Sequence, residues 1–262
     1  MPLADIGVNL TDKRFAQDRD QVLSRARDAD VALQVLTGTN IDVSRDALAL
    51  CSDSSDLYAT VGIHPHHASD FSTTTLADIR VLATAKKTRA IGETGLDFNR
   101  DFSPRPIQEK AFAEQLALAV ELELPVFLHQ RDAHERFLPI LQEYRDRLCN
   151  VVVHCFTGTR QELFDYLDMD CHVGITGWVC DERRGEPLQK IVNNIPLNRL
   201  LIETDSPWLV PRNMDHKPKI SGRNEPCLLP WIVRQLAVSM GQTETVIGDS
   251  TWENTLRFFR IT

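Results

Sequence analysis

Seven ionisable residues stand at the downstream ends of short apolar runs, and their types suit metal binding. They are His64, His66, Glu93, His129, His154, Glu203 and Asp205. Imidazole nitrogens and carboxylate oxygens bind divalent cations, and the absence of cysteine from the set favours hard or borderline metals over a thiolate site. If the apolar runs are parallel strands, these side chains converge at one edge and form a cage for a cation.

Each of these residues also has an ordinary structural explanation. A single histidine or glutamate at a strand end is commonly a hydrogen-bonded packing or capping residue. The set is more informative than its members, because five apolar runs end in this way and several buried ionisable groups without partners would be costly. The pattern therefore predicts a metal site.

The elements that would position these side chains alternate regularly along the chain. Stretches with apolar residues at helical spacing, most clearly 107–124 and 133–144, separate eight short runs of apolar and β-branched residues that indicate strands. The strand candidates span residues 4–10, 31–40, 57–65, 89–97, 124–130, 150–156, 171–177 and 199–205. A repeat of about 33 residues is typical of βαβ units, and eight units predict an α/β fold, a TIM barrel with its site at the carboxyl ends of the strands.

The sequence indicates a single domain over residues 1–262, because it contains no low-complexity segment, Ser/Gly linker or break in composition. The longest irregular stretch runs from Pro207 to Pro226. Long loops without secondary structure are uncommon unless they are functional. Residues 229–259 indicate one or two closing helices.

The composition narrows the class of protein. The chain has 262 residues, 42% of them hydrophobic, and a net charge of -8. No run approaches the roughly 18 apolar residues of a membrane span and no signal-peptide pattern is present, so we expect a cytoplasmic protein that does not contact membranes. Six cysteines form no C-x-x-C pair. The acidic balance argues against binding nucleic acid through bulk charge, but it permits a locally basic cleft.

Seven motifs together resemble the TatD-type metal-dependent deoxyribonucleases, a family within the amidohydrolase-like metallohydrolase barrels. The resemblance spans essentially the whole chain. The motifs are GIHPH (62–66), IGETGLDF (91–98), LPVFLHQRDA (124–133), VVHCFTGT (152–159), GITGWVCDERRG (174–185), LLIETDSPWL (200–209) and RNEP (223–226).

This resemblance implies a magnesium-dependent nuclease that removes nucleotides from the 3′ ends of single-stranded DNA, with a role in DNA repair. RNA remains open as a second substrate. Mn²⁺ and Zn²⁺ are alternatives to Mg²⁺, because the donor set combines oxygens with imidazoles. The protein is expected to act as a monomer.

The resemblance also assigns roles to individual residues. The implied metal ligands are Glu93, His129, His154 and Asp205. Glu93 would bridge two ions where two are present. His64 would contact the scissile phosphate or the leaving group, and Glu203 would position a water molecule. Asp205 is also the candidate general base that orients and deprotonates the water.

The first strand departs from the family pattern. Most members have Asp-x-His-x-His there, and the two histidines hold one of the metals. This chain has Asp5, Gly7 and Asn9 at those positions. Glycine has no side chain that could bind a metal, and an amide oxygen is a weak donor. The sequence therefore leaves open whether one or two ions bind. Sequences in the branch around the bacterial TatD protein look the same.

Substrate contacts are expected in the loops that follow the strands. Trp178, Phe156 and Trp208 could stack on a terminal base, although each could equally pack against the barrel rim. The candidate phosphate-binding residues are Arg131, Arg183, Arg184, Arg212, Lys217, Lys219 and Arg223. Runs of charge are usually solvated surface, and Arg223 could instead clamp its own loop. Asp132 and His134 are expected to cap or support the next helix.

Two other functions remain open from the sequence. A metal-dependent amidohydrolase or lactonase would use the same barrel face, but such enzymes usually rely on the His-x-His of the first strand and often on a carbamylated lysine. The second alternative is a non-catalytic binding barrel that has lost its metal. The intact set of carboxylates and histidines argues against this alternative. The fold alone would not decide among them.

Overall fold

A computed structural model describes residues 1–215 and 222–262 of the chain. Within these ranges eight parallel strands pair in sequence order. Each overlaps a run predicted from the sequence. The strands are β1 (Leu3–Val8), β2 (Val31–Leu36), β3 (Leu57–Val61), β4 (Thr88–Asp97), β5 (Val126–Arg131), β6 (Val151–Val153), β7 (His172–Ile175) and β8 (Leu200–Ile202).

Helices connect the strands and pack outside them. The described residues form α1 (Arg19–Asp28), α2 (Ile41–Cys51), α3 (Thr73–Ala83), α4 (Arg105–Leu122), α5 (His134–Arg145), α6 (Arg160–Asp168), α7 (Glu186–Gln189), α8 (Leu229–Met240) and α9 (Glu244–Phe259). The two clearest predicted helices are α4 and α5, within two residues at each end. The closing segment forms two helices.

Backbone hydrogen bonds beyond the end of β8 close the sheet onto β1. The amide of Asp205 donates to the carbonyl of Gly7 at 2.9 Å, and the amide of Asn9 donates to the carbonyl of Ser206 at 2.9 Å. Val8 and Ser206 also form a parallel bridge. The predicted TIM barrel is therefore confirmed, and the closing contacts lie directly beside the candidate ligand Asp205.

The strands are buried on both faces, which explains why their sequences are almost continuously apolar. Alternate residues point into the barrel and outward to the helices. The inner cluster includes Ile6, Val35, Phe127, Val152 and Leu201, while the outer cluster joins the other strand faces to the helices. The barrel interior is thus filled, and a site can form only at its rim.

The last helix, α9, closes the end of the barrel opposite the predicted site. Phe258 and Phe259 pack with the inner strand residues. The Asn254 amide donates to the carbonyl of Leu200, the first residue of β8, at 2.9 Å. Because Leu200 lies at the amino end of its strand, α9 contributes to stability and stays away from the carboxyl-end face.

Three helices that start at this carboxyl-end face have side-chain caps, one of them a capping box of Ser72 and Thr75 at the start of α3. Asn40 accepts a hydrogen bond from the amide of Val43 at the start of α2. Thr159 and Glu162 form a reciprocal capping box at the start of α6. Such caps fix where each loop ends and therefore hold the strand ends in place. In the described part of the chain, no helix is long and apolar enough to cross a membrane.

Replacing Phe258 with alanine is expected to lower the free energy of unfolding by about 3–5 kcal/mol, because it leaves a cavity at the barrel floor. Val238→Ala is a matched control, since Val238 is 74% exposed on α8, and should change stability by less than about 0.5 kcal/mol. Urea unfolding of the two variants checks this. Equal stabilities would show that α9 does not close the barrel core.

Candidate metal centre

The carboxyl ends of five strands bring the predicted residues to one place. Glu93 lies within β4 and His129 within β5, while His154 follows directly after β6. His64 lies three residues after β3, and Glu203 follows β8. The sequence pattern that placed a polar residue after each apolar run therefore has a direct structural cause: parallel strands end on the same side of the barrel.

One carboxylate oxygen is the centre of the cluster. Glu93 Oε1 lies 2.7 Å from His154 Nε2, 2.9 Å from His129 Nδ1 and 3.3 Å from His64 Nε2. Ligand atoms of His64, Glu93 and His129 all lie within 4.8 Å of one another. The side chains of Glu93, His64 and His154 are buried. Donor atoms from four strands therefore meet around one carboxylate oxygen, close enough together for a single cation to bind several of them.

The second nitrogen of each imidazole has its own partner, and these partners assign different roles to the three rings. His129 Nε2 lies 3.3 Å from the Asp97 carboxylate, and His154 Nδ1 lies 3.4 Å from the Glu203 carboxylate. Both carboxylates can accept a proton from these nitrogens, so His129 Nδ1 and His154 Nε2 are the atoms that would bind a cation once the rings are neutral. That is the arrangement of metal-binding histidines.

His64 has the opposite arrangement. Its Nδ1 accepts the backbone amide of His66 at 3.0 Å, which leaves the proton of the neutral ring on Nε2, facing Glu93. Burial lowers the pKa of His64 to about 4, so the ring is neutral at physiological pH. An Nε2–H group donates a hydrogen bond and cannot bind a cation in this form. His64 is thus suited to contact an oxygen atom of a substrate.

The charges in the cluster indicate where a cation fits. Burial opposes ionisation of Glu93, but the positive charge of His154 and the hydrogen bonds from His129 and His154 outweigh burial and hold its pKa well below the ordinary value. Burial also opposes protonation of His154, and the charges of Glu93 and Glu203 overcome it, so its pKa lies well above the usual range. Without metal the site attracts protons, and a divalent ion would replace them.

The Glu203 carboxylate lies between two glycines. A Cβ atom at Gly7 would stand 2.3 Å from Glu203 Oε2, and one at Gly174 would stand 2.6 Å from Glu203 Oε1. The backbone amide of Cys155 donates to Glu203 Oε1. Glycine in the first strand, which departs from the family pattern, therefore makes room for a buried carboxylate beside His154.

Asp205 is held at the edge of the cluster by the first strand. Asn9 Nδ2 donates to Asp205 Oδ1 at 3.1 Å. Asp205 has a left-handed backbone with φ of 53°, a conformation that costs energy for aspartate and often marks functional sites. Burial raises its pKa to about 7, opposed by His154 and reinforced by Glu93 and Glu203. Asn9 therefore orients a carboxylate rather than facing the cluster as a ligand.

Two buried carboxylates in the site were missed by the sequence reasoning. Asp97, at the end of β4, accepts from His66 Nε2 at 2.8 Å as well as facing His129. Asp5 in β1 accepts from the amide and hydroxyl of Thr204 at 2.9 and 2.6 Å. Burial raises the pKa of Asp5 to about 8. The rule that polar residues end apolar strands, applied to the full length of β4, would have found Asp97.

The predicted arginine contacts mostly lie in ion pairs. Arg184 Nη2 lies 2.9 Å from Asp181 Oδ2, and Arg183 Nε lies 3.7 Å from Asp181 Oδ1. Arg212 pairs with Glu182 at 3.0 Å. Lys217 and Lys219 lie outside the described residues. Arg131, at the end of β5, is exposed and has no acidic partner among the residues that the structure describes.

Arg223 is enclosed in a network that joins two loops. Its Nη2 atom lies 2.6 Å from Asp18 Oδ1 and 3.1 Å from Glu225 Oε1, and the guanidinium stacks on the Phe15 ring at 4.5 Å. Arg25 binds Glu225 from the other side at 2.8 Å. These contacts fit the clamp interpretation of the RNEP motif.

The predicted aromatic contacts differ in exposure. Phe156 is buried. Trp178 is half-buried beneath the Arg184 guanidinium, 4.3 Å from the ring centroid, and lines a cleft of about 530 Å³ with Asp181, Leu209 and Pro211. Trp208 is 45% exposed beside Arg14, and its amide donates to the carbonyl of Asp205.

The two residues expected to support α5 behave differently. His134 is the first residue of that helix, and its ring bonds the Tyr166 hydroxyl and the Asp165 carboxylate, each at 2.9 Å. Asp132 accepts from the Asn99 amide instead of capping the helix, whose N-cap is Ala133. His134 therefore tethers α5 to α6, outside the cluster.

Comparison with known proteins places this arrangement in a family. A protein from Erwinia tasmaniensis named 3'-5' ssDNA/RNA exonuclease TatD is 52% identical over 258 residues, covering 98% of this chain and 99% of its own length. A TatD homologue from Escherichia coli superposes with a TM-score of 0.89 at 26% identity, over 99% of this chain and 98% of that one.

A TatD family hydrolase from Entamoeba histolytica superposes with a TM-score of 0.91 at 24% identity, over 100% of this chain and 99% of that one, which shows a shared fold. The family model described as TatD related DNase matches residues 4–260. That range contains every residue of the cluster and all eight strands except Leu3, the first residue of β1. The chain belongs to the TatD related DNase family.

Proposed function

We propose that the protein is a metal-dependent 3′–5′ exonuclease that hydrolyses phosphodiester bonds of single-stranded DNA, with RNA as a second substrate. The observation that carries the proposal is the Glu93 carboxylate oxygen with imidazole nitrogens from three other strands around it. Family membership and the names of relatives about half identical to this chain support the substrate class.

In this proposal Glu93, His129, His154 and Asp205 hold the cation. The carboxylate partners of His129 Nε2 and His154 Nδ1 support their assignment, since they leave the inward nitrogen of each neutral ring for the cation. Mg²⁺ is the proposed working metal, and Mn²⁺ or Zn²⁺ could occupy the same donors. When bound, a divalent ion supplies Lewis-acid activation of water and neutralises phosphate charge.

The protein side chains have separate roles in the proposed reaction. Asp205 orients and deprotonates the attacking water, whose oxygen forms the new bond to phosphorus. The bond from phosphorus to the 3′ oxygen of the preceding nucleotide breaks, Asp205 returns to that oxygen the proton that it took from the water, and the neutral His64 ring donates a hydrogen bond from Nε2 to that oxygen or to the phosphate. Glu203, fixed by the Cys155 amide and His154, positions the water.

We propose that one ion binds strongly. The first strand offers no histidine, Glu203 fills the space beside Gly7, and Asn9 is engaged with Asp205. A second ion could use only weaker donors. A cytoplasmic location, a role in DNA repair and a monomeric state remain parts of this proposal that follow from the family resemblance and the composition.

The amidohydrolase alternative has less support. Amidohydrolases often have a carbamylated lysine at the end of a middle strand. This chain has Glu93 in β4 and His129 in β5 instead, and its first strand lacks His-x-His. Nothing in the cluster favours a small cyclic amide or lactone over a phosphodiester.

Purified protein with Mg²⁺ or Mn²⁺ is expected to shorten 5′-labelled single-stranded DNA to a ladder, and to release labelled mononucleotide at once from 3′-labelled DNA. EDTA should abolish both reactions, because the proposed ion activates the water. Denaturing gels of time courses in Mg²⁺, Mn²⁺ and Zn²⁺ measure this. Unchanged DNA in every metal, together with hydrolysis of a lactone or dihydropyrimidine, would favour the amidohydrolase instead.

His129→Ala is expected to remove the stabilisation that the metal gives. At a metal concentration 100-fold above Kd, binding adds about 2.7 kcal/mol to the wild-type protein, and the variant should show little change. Thermal melts with Mn²⁺ and with EDTA provide the comparison, and His134→Gln is the control because its partners lie on α6. A metal-induced rise in Tm as large in His129→Ala as in the wild type would exclude His129 as a ligand.

Calorimetric titration with Mn²⁺ is expected to show one strong site and at most one weak site. The physical reason is that Glu203 fills the place of a first-strand ligand. Asp205→Asn should weaken the strong site while leaving the stoichiometry at one. Two equal and tight sites in the wild-type protein would contradict this account of Gly7 and Asn9.

A further inference from the structure

The two sides of the site differ in how their arginines are partnered. Beyond β7 and β8, the arginines at positions 183, 184, 212 and 223 all lie beside carboxylates. An arginine bound to a carboxylate presents little net positive charge to a phosphate. This side, which also holds the 530 Å³ cleft, is close to electrically neutral in the residues that the structure describes.

Beyond β4 and β5 the arrangement is different. Arg131 ends β5 and is aligned with Asp97 of β4, and the backbone amide of Arg100 donates to Asp97 Oδ1 at 2.8 Å. Both arginine side chains are exposed, and neither has an acidic partner in the described ranges. The nearby Asp132 carboxylate is bound by the Asn99 amide. Two unpaired guanidinium groups therefore lie next to the cluster on this side.

An exposed aromatic ring lies beside the histidines on this side of the site. Phe102 is 66% exposed, and its ring packs edge-on against His66 with centroids 4.8 Å apart. His66 in turn packs against His64 at 4.3 Å. The Phe102 ring is therefore one histidine away from the side chain proposed to contact the phosphate.

The backbone around Phe102 is anchored, so its ring is held outward. The next residue, Ser103, is fully buried; its hydroxyl bonds the carbonyl of His66 at 3.2 Å and accepts the amide of Ser69 at 3.0 Å. On the other side, Asp101 pairs with Arg105 at 2.6 Å. Among the other large exposed apolar residues, Val81, Ile107 and Val238 lie on outer helices. Trp208 is 45% exposed beyond β8, with the Arg14 guanidinium over its ring.

We infer that the substrate strand runs over the β4–β5 side of the barrel, with one base stacked on Phe102 and phosphates bound by Arg100 and Arg131. This inference rests on the proposed nuclease function and adds its substrate path. Aromatic rings stack on any base without sequence preference, and arginines bind the backbone by charge, which suits an exonuclease that must pass over every sequence. The strand thus avoids the neutral cleft on the opposite side.

The stacking contact is tested by steady-state digestion of oligo(dT). Phe102→Ala should raise KM about 10-fold with kcat largely retained, since stacking on an aromatic side chain contributes substantially to binding. Phe102→Trp should keep the wild-type KM, and Val238→Ala serves as an exposed apolar control. Oligonucleotides with a single abasic site at each of the last three positions then identify the stacked base. At that position the effect of Phe102→Ala should disappear.

The phosphate contacts are tested by binding of labelled oligo(dT) in EDTA at several salt concentrations. For single strands the slope of log K against log salt changes by about 0.7 for each phosphate contact. The double variant Arg100→Ala, Arg131→Ala should therefore lower the slope by about 1.4. The matched control is Arg27→Ala with Arg80→Ala, which removes the same charge from outer helices and should leave the slope unchanged.

The outcomes separate this inference from the function on which it rests. A wild-type KM for Phe102→Ala, or equal effects at all abasic positions, would overturn the stacking contact. A lower slope in Arg183→Ala, Arg184→Ala but not in the Arg100, Arg131 variant would move the strand to the opposite side. If the wild-type protein binds oligo(dT) with the expected slope but digests nothing, the nuclease proposal fails while the path stands.

Discussion

The buried carboxylate of Glu93 is the constraint on which the site depends. A carboxylate removed from water needs compensation. Here the compensation comes from imidazoles on three other strands, which only a closed parallel barrel can bring within hydrogen-bonding distance of one oxygen atom. The second nitrogen of each ring is hydrogen-bonded to a further group, which fixes the orientation of the ring. These outer partners decide which ring can bind a cation and which can donate a hydrogen bond.

The first strand shows how this requirement reaches into the fold. Glu203 can lie beside His154 only because positions 7 and 174 lack side chains. The Asp5 carboxylate accepts the backbone amide of Thr204, and the Asn9 side-chain amide donates to the Asp205 carboxylate. The first strand lacks the two ligand histidines of the family pattern, and its residues position Thr204 and Asp205 instead. The same residues close the barrel, so the geometry of Asp205 and the closure of the sheet are one structural feature.

The fold and the central cluster could be predicted from the sequence, while the partners of the predicted residues could not. Strands that are buried on both faces show as apolar runs, and parallel strands end on one side, so Glu93, His129 and His154 follow from local pattern alone. The partners of Arg184 and Arg223 depend on how loops distant in sequence pack. Asp5 was missed because it lies inside β1, where a polar residue is meaningful only once its neighbour is known, whereas Asp97 ends β4 and the strand-end rule stopped short of it at Glu93.

The acidic net charge and a nucleic-acid substrate are compatible, because the total of -8 says little about the charge that a strand meets. Several carboxylates lie buried in the cluster, where histidines and a cation offset them. Others neutralise arginines around the cleft beyond β7 and β8. Among the described residues, Arg100 and Arg131 are exposed without an acidic partner on the β4–β5 side, where the Phe102 ring is also exposed. Weak overall attraction with a local basic contact favours capture of a free strand end over coating of long duplexes.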